Sequence, residues 1–305
     1  MSKNTTYLLG ILATIVLGTL LYLNLCSECQ GIPVQEDSSS TVNEETVPPE
    51  LEPSSFPFAL NADGLDFTSQ DNFNFNLSSP SFLMPLATTV GDGVEQLKTF
   101  LSENENMSVN LTGLYRADEA NPTAFPNLGL ARANSVKNHL VISGISSSQI
   151  NTLGKLEETL VPDESTLLGP ITFSLNEKSE DENEALQALY DKIKADPLIL
   201  YFNTGEAAIN LTAAQRQKVA DISKYLDKAS DAQCLIVGHT DNTGQRATNI
   251  QLGKERADFA KAYLIRNGIM DSKILTDSKG PDEPMVSNDT EEGRSKNRRT
   301  VVTLK

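Results

Sequence analysis

The chain repeats itself, and that limits its folds more than any other feature. Residues 128–152 align without gaps on residues 252–276, and eleven of the twenty-five positions are identical, among them Gly129/Gly253, Arg132/Arg256, Lys137/Lys261, Leu140/Leu264 and Gly144/Gly268. Upstream, with a one-residue shift, residues 94–101 match 219–226 and Gly113 matches Gly238. Self-similarity at a fixed separation marks a repeated structural unit, so two copies of one fold are expected. A chain of 305 residues is long enough for each copy to bury a core.

The later copy is the easier to read. Residues 198–203 form a short apolar run suited to a strand. Thr212 is placed to cap a helix with Gln215 completing the reciprocal pair, and Val219, Ile222 and Leu226 then fall on one face. Residues 234–238 are continuously apolar, the mark of a strand buried on both faces. Residues 249–266 have helical spacing, with Leu252, Ala260 and Leu264 on one stripe and a stop at Asn267-Gly268. Further strands are expected at Ile274-Leu275 and over 300–304. The sum is an α/β fold, a βαβαβ sandwich of α+β type in which helices pack on one or both faces of a mixed sheet. Ahead of it, residues 182–195 place Leu186, Leu189, Tyr190 and Ile193 on one helical face, Pro197 ends the helix, and it is expected to brace the two copies.

The amino-terminal segment is of another kind. Residues 7–25, from Tyr7 to Leu25, contain no charge and approach the ~20 residues that a helix needs to span a bilayer. The run ends Leu23-Asn24-Leu25-Cys26, and the large Leu25 disfavours lipoprotein processing at Cys26; an outer-membrane lipoprotein is therefore the alternative to an uncleaved anchor. Lys3 precedes the span and no Lys or Arg follows until Lys98, which keeps the amino terminus in the cytoplasm and puts the rest across the membrane. The expected organisation is a cytoplasmic tail over 1–6, a transmembrane anchor over 7–25, a disordered acidic linker with prolines over 26–55, one copy over 56–178 and the other over 179–305. Such a linker has a root-mean-square span of about 30 Å and an extended reach of about 95 Å.

Chemistry concentrates in one turn. After the apolar strand comes Gly238-His239-Thr240-Asp241-Asn242-Thr243-Gly244, and the next helix carries Asn249, Leu252, Arg256 and Ala257. Pro284, Asn288, Thr290, Glu292, Gly293, Arg294, Asn297, Arg298 and Arg299 follow before the last strand. A carboxylate at a strand end can accept from an ammonium, and a guanidinium two turns into the adjoining helix offers a planar fork to a carboxylate. The residue types alone suit a structural ion pair closing the turn equally well.

This pattern resembles the peptidoglycan-associating carboxy-terminal domain of the OmpA family, closely over about 197–305 and weakly over about 56–176. The resemblance implies a non-catalytic module in a Gram-negative envelope that grips the zwitterionic end of diaminopimelate between Asp241 and Arg256. It further implies secondary ligand contacts from Asn203, Thr204, Thr240, Thr243 and Asn249, although Asn203 stands where the family often has an acid and Asn249 equally suits holding the turn. His239 reads as structural. Arg294, Lys296, Arg298 and Arg299 read as a helix face paired with Glu291 and Glu292, the alternative being contact with anionic glycan. The earlier copy keeps Arg132 but has Arg116 where the later has Asp241, so it reads as degenerate, a spacer or a surface for a protein partner or a second copy of the chain.

Other functions are poorly served. The formal net charge of −16, without a basic run, excludes nucleic acid as a partner. Two histidines, the neighbouring Cys26 and Cys29, and Cys234 in an apolar stretch supply no metal or cofactor site, and nothing marks an acid–base pair for a wall hydrolase. A stator-like role needs a protonatable group inside the membrane, which residues 7–25 lack. An inner-membrane, single-pass tether reaching peptidoglycan from the periplasm is the expected function.

Overall fold

The structure, a computed structural model, describes residues 52–179, 181–201 and 210–305. The expected anchor over 7–25, the linker up to residue 51, and Asn203 and Thr204 lie outside the described residues. Among the described residues no helix is long and apolar enough to cross a membrane.

Two sheets carry the architecture. The first has the order β5-β4-β7, from β4 (Met107–Tyr115), β5 (Ile150–Leu156) and β7 (Ile171–Glu177). The second has the order β10-β9-β11-β8, from β8 (Leu198–Tyr201), β9 (Cys234–His239), β10 (Ile274–Gly280) and β11 (Arg299–Leu304). In each, the central strand runs parallel to one neighbour and antiparallel to the other: β4 with β5 and β7, β9 with β10 and β11. A hairpin of β1 (Phe58–Ala62) and β2 (Leu65–Ser69) and a short pair of β3 (Phe75–Asn76) with β6 (Thr166–Leu167) complete the first half.

The helices are α1 (Thr88–Glu103), α2 (Leu128–Ile142), α3 (Glu182–Ala195), α4 (Ala213–Lys228), α5 (Arg246–Arg266) and α6 (Glu291–Asn297). Thr212 and Gln215 cap α4 reciprocally, as their spacing predicts. In the second half Val219, Ile222, Leu226, Ala257, Ala260 and Leu264 are buried against Leu198, Leu200, Cys234, Ile236, Ile274 and Val302. In the first, Val94, Leu97 and Leu101 of α1 occupy the positions matched to Val219, Ile222 and Leu226 and pack on Val109, Leu111, Ile150 and Ile171. Each fully buried branched side chain contributes about 1.5–3 kcal/mol.

The matched glycines show why the second helix of each half lies so close to its sheet. A Cβ on Gly113 would stand 2.0 Å from the Gly129 carbonyl oxygen, and one on Gly238 would stand 1.8 Å from that of Gly253. Both helices therefore touch the central strand backbone to backbone, which only glycine permits.

Several local expectations need correction. β9 is fully buried on the helix-facing side, whereas Leu235 and Val237 on its other face are half-buried and only His239 at its end is covered there, because both long helices pack on one face of the sheet. Leu252 is 38% exposed; the inward stripe of α5 is Asn249, Gly253, Ala257, Ala260 and Leu264, set by the inward-facing glycine. Helix α5 starts at Arg246 rather than Asn249, and Arg246 is tied to Asp282 through Nε and Oδ1 at 2.8 Å.

The two halves do not separate: residues Leu51–Lys305 form one compact unit. Lys137 of α2 pairs with Asp227 of α4 at 2.6 Å, Ser147 Oγ donates to the Asp227 carbonyl at 2.7 Å, and Asn138 donates to the Gly268 carbonyl at 2.9 Å. Phe125, Leu128 and Ala131 meet Ala220 in a small apolar cluster between them. Helix α3 packs on the second core through Ile193, Leu189 and Tyr190. Ser54 is already tied to the folded unit, with its Oγ accepting from the Val161 N–H at 3.0 Å.

Candidate ligand site

The turn that follows β9 is built by side-chain hydrogen bonds to its own backbone. Asp241 Oδ1 accepts from the Thr243 N–H at 2.9 Å, the Thr240 hydroxyl donates to the Asp241 carbonyl at 2.9 Å, and Asn249 Nδ2 donates to the Thr243 carbonyl at 3.0 Å. Thr240 and Asn249 are buried, and both spend the donors described here on the turn. The other Asp241 oxygen, Oδ2, accepts from Arg298 Nη1 at 2.9 Å, and Arg298 Nη2 reaches Glu291 at 2.7 Å. Asn297, fully buried, fixes the approach to Arg298 by accepting from the Met285 N–H at 2.8 Å and donating to the Val286 carbonyl at 2.8 Å.

Arg256 comes to the same place from α5, two turns beyond Asn249, and its Nη1 donates to the His239 carbonyl at 3.1 Å. Burial weakens its charged form, the Asp241 carboxylate offsets this only in part, and the Arg298 charge adds to it, leaving its pKa below the ordinary arginine value. Burial likewise opposes the charge on Asp241, but hydrogen bonds from Arg298 and Thr243 outweigh it and hold the carboxyl below its ordinary value. The site is thus one carboxylate facing two guanidiniums, with side-chain exposures of only 12% for Asp241 and 14% for Arg298. His239 is buried on the other face; desolvation, helped by Arg299, pulls its pKa down to about 4, so it is neutral.

Asp241, Thr240, Thr243, Asn249 and Arg256 are therefore brought together. The residue that sequence reasoning placed elsewhere is Arg298, assigned to a helix face. It does pair with Glu291 as expected, but it also crosses to Asp241, 57 residues away in the chain. The Asn297-Arg298-Arg299 run was the available signal. Arg294 and Lys296 pair with Glu291 and Glu292, while Arg299 turns inward to the Glu283 carbonyl at 3.2 Å.

The corresponding place in the first half is filled from within. Arg132 is fully buried and its Nη1 donates to the Leu114 carbonyl at 2.9 Å, just as Arg256 does to that of His239. Its fork is closed by Glu119, which receives a bond from each terminal nitrogen and also accepts from the backbone N–H groups of Ser78 and Arg116 at 2.9 Å. Arg116, at the position of Asp241, is paired with Asp118 at 2.7 Å.

A mixed sheet covered by helices on one face, with a carboxylate and two guanidiniums at the end of its central strand, defines a small α/β domain. Residues 201–298 match the OmpA family. The chain is 35% identical over 119 residues to the peptidoglycan-binding protein ArfA of Mycobacterium tuberculosis, covering 39% of this chain and 35% of that one. It is 34% identical over 103 residues to the peptidoglycan-associated lipoprotein of Buchnera aphidicola, covering 34% of this chain and 58% of that one. The chain thus spans between about a third and somewhat over half of these relatives. The crystal structure of the peptidoglycan-associated lipoprotein from Burkholderia pseudomallei superposes with a TM-score of 0.32 at 23% identity, over 35% of this chain and 89% of that one.

Proposed function

We propose that the second half binds peptidoglycan without catalysis, and that the whole chain tethers a membrane to the cell wall. The observation that carries the reading is the juxtaposition of Asp241 and Arg256 at one strand end, inside the stretch that matches the OmpA family. A zwitterionic amino-acid group, the free end of diaminopimelate in the wall's stem peptide, presents an ammonium to Asp241 and a carboxylate to Arg256. Arg298, shared between Asp241 and Glu291, holds the Asp241 carboxylate in place for the ligand's ammonium.

Duplication supports a second part of the reading. The shared strand order, the two glycine contacts and the matched arginine bonds favour two copies of one module, the first degenerate. With Glu119 seated on Arg132, the first copy has no fork to offer and serves as a rigid mount for the second. The charge-free run over 7–25 supports an inner-membrane anchor, with the module in the periplasm.

Sedimentation with insoluble peptidoglycan sacculi tests the site. A chain starting at Leu51 should pellet, and Asp241→Ala and Arg256→Ala should each lose pelleting while keeping the wild-type circular dichroism spectrum. Pelleting that survives both changes sinks the assignment.

A further inference from the structure

The two halves guard their sheet edges differently. Strand β5 lies at the edge of the first sheet and β10 at the edge of the second, each paired only with its central strand among the described residues. Gly154 stands opposite Gly113 and Ser278 opposite Gly238, so the gapless match between the halves extends through both strands. An edge strand presents a row of unpaired N–H and C=O groups, and charged side chains on or beside it are the common defence against pairing with another chain.

Strand β10 has that defence. Thr276 accepts from Lys254 at 2.9 Å and donates to Asp258 at 2.8 Å, Asp277 is exposed, and Lys279 pairs with Glu283 at 3.4 Å. The matched positions around β5 carry little of it. Leu130 and Asn134 stand in place of Lys254 and Asp258, Leu153 in place of Asp277 and Leu156 in place of Gly280, and only Lys155 keeps the charge of its counterpart, Lys279. Leu153 is 54% exposed, and over residues 152–156 no backbone hydrogen bond reaches β5 except from β4 among the described residues.

Charge selects what can pair there. By alternation Asn151, Leu153 and Lys155 share the face turned away from α2, since Thr152 on the other face accepts from Asn134 of α2 at 3.4 Å. Asn151 and Leu153 line a hollow of about 220 Å³ with Lys224 and Lys228 of α4. Lys224 is exposed and enters no ion pair among the described residues. Asp227, in the same lining, is taken up by Lys137 at 2.6 Å, and the pair of Lys155 with Glu157 at 3.1 Å is open to solvent and correspondingly weak. An incoming strand therefore meets an apolar side chain between two cationic ends, Lys155 on one side and Lys224 with Lys228 on the other. A second copy of the same edge would set lysines near lysines, which opposes self-pairing.

We propose that β5 accepts an added strand from a protein partner: an extended segment whose apolar residue, set against Leu153, is flanked two positions away on each side by a carboxylate. Main-chain hydrogen bonds to residues 152–156 supply the affinity, and Leu153 and the lysines supply the choice of segment. The inference does not use the peptidoglycan reading, and it gives the first half a partner surface of its own.

The test titrates the full chain in detergent micelles with a fluorescein-labelled peptide, Ser-Glu-Thr-Val-Thr-Glu-Ser, followed by anisotropy. The wild type should bind it. Leu153→Asp, which restores the residue type of the second half, and Lys224→Glu should each weaken binding about fivefold. Both positions are exposed, so both variants should keep the wild-type circular dichroism spectrum and pellet with sacculi as the wild type does. Methylating alternate amide nitrogens of the peptide leaves its charges unchanged and removes the donors of one edge; one of the two alternate sets should abolish binding. No binding by the wild type at millimolar peptide overturns the inference. Binding that survives both methylated sets overturns it in favour of a diffuse ionic contact, and a wild-type dimer that Leu153→Asp dissociates overturns it in favour of a second copy of the chain.

Discussion

Arg132 and Arg256 make the same hydrogen bond, each from Nη1 to the carbonyl one residue beyond the glycine of its central strand, Leu114 at 2.9 Å and His239 at 3.1 Å. What differs is the carboxylate that completes the fork. Arg132 has Glu119, whose side chain is 2% exposed, whereas Arg256 faces Asp241 across the mouth of a turn.

Glu119→Ala should therefore be among the most damaging single changes in the first half. It leaves a fully buried guanidinium with only carbonyl partners, at a cost of about 3–5 kcal/mol. Chemical denaturation should show the loss as a lowered midpoint with an unchanged slope. Replacing both members, as Glu119→Gln with Arg132→Met, should recover much of it, since an uncharged pair needs no compensation. A double variant no more stable than Glu119→Ala contradicts this account of the buried pair.

Arg298 has a different part. It orients the Asp241 carboxylate and lowers its proton affinity, but on the proposed reading it is not the fork that receives the ligand. Arg298→Ala should leave sacculus binding measurable, weakened by less than in Asp241→Ala, and should raise the Asp241 pKa in a carbon-detected NMR titration. Arg298→Lys should restore the pKa more fully than the orientation. An Arg298→Ala variant that binds no better than Asp241→Ala would make Arg298 a full ligand residue.

His239 and Asp241, both with lowered pKa values at this strand end, make acid destabilising. His239 falls from an ordinary 6.5 to about 4 because it is buried beside Arg299, with Glu283 and Lys279 also in its field. In a depressed histidine the unfolded chain takes up the proton first. The stability this group contributes is complete above pH 6.5 and is lost as the pH falls toward about 4, amounting to about 3 kcal/mol at most. Asp241 is held below its ordinary 3.8, so its contribution is present above that value and disappears below it. The melting temperature should fall between pH 6.5 and 4 with little change in sacculus binding, and binding should fail only at lower pH. His239→Gln should flatten the first slope, and a slope that the variant leaves intact points to another group.

Much of the second half was legible because its signals are local. The Thr212/Gln215 cap lies within one turn, and the run from Gly238 to Gly244 is contiguous. Helix faces were harder wherever glycine intervened: Leu252 belongs to an apolar stripe by spacing, yet Gly253 is the residue that touches the sheet, and this rotates Leu252 outward. The burial of β9 was misjudged for a related reason, since an apolar run reports what a strand could bury and not whether a second layer exists to cover it. Long-range carboxylate pairing left no trace in the pattern. Glu119 sits in a loop 13 residues before Arg132, Asp241 lies 57 residues before Arg298, and no periodicity connects either pair.

The glycine contact itself gives the sharpest structural prediction. Gly238→Ala places a methyl 1.8 Å from the Gly253 carbonyl oxygen, a backbone atom that can retreat only if α5 moves. Overpacking of this kind costs about 3 kcal/mol. Because α5 carries Arg256 and Asn249, the same shift should also weaken sacculus binding, which ties a stability defect to a functional one through a single helix. Gly91→Ala is the control: Gly91 is an exposed position in the first turn of α1 with nothing within 4 Å of the added atom, and its replacement should stabilise by no more than the ~0.5–1 kcal/mol of a mid-helix glycine while leaving binding unchanged. A Gly238→Ala protein that melts and pellets like the wild type would mean that helix and strand are not in backbone contact, and the positioning of Arg256 would then need another cause.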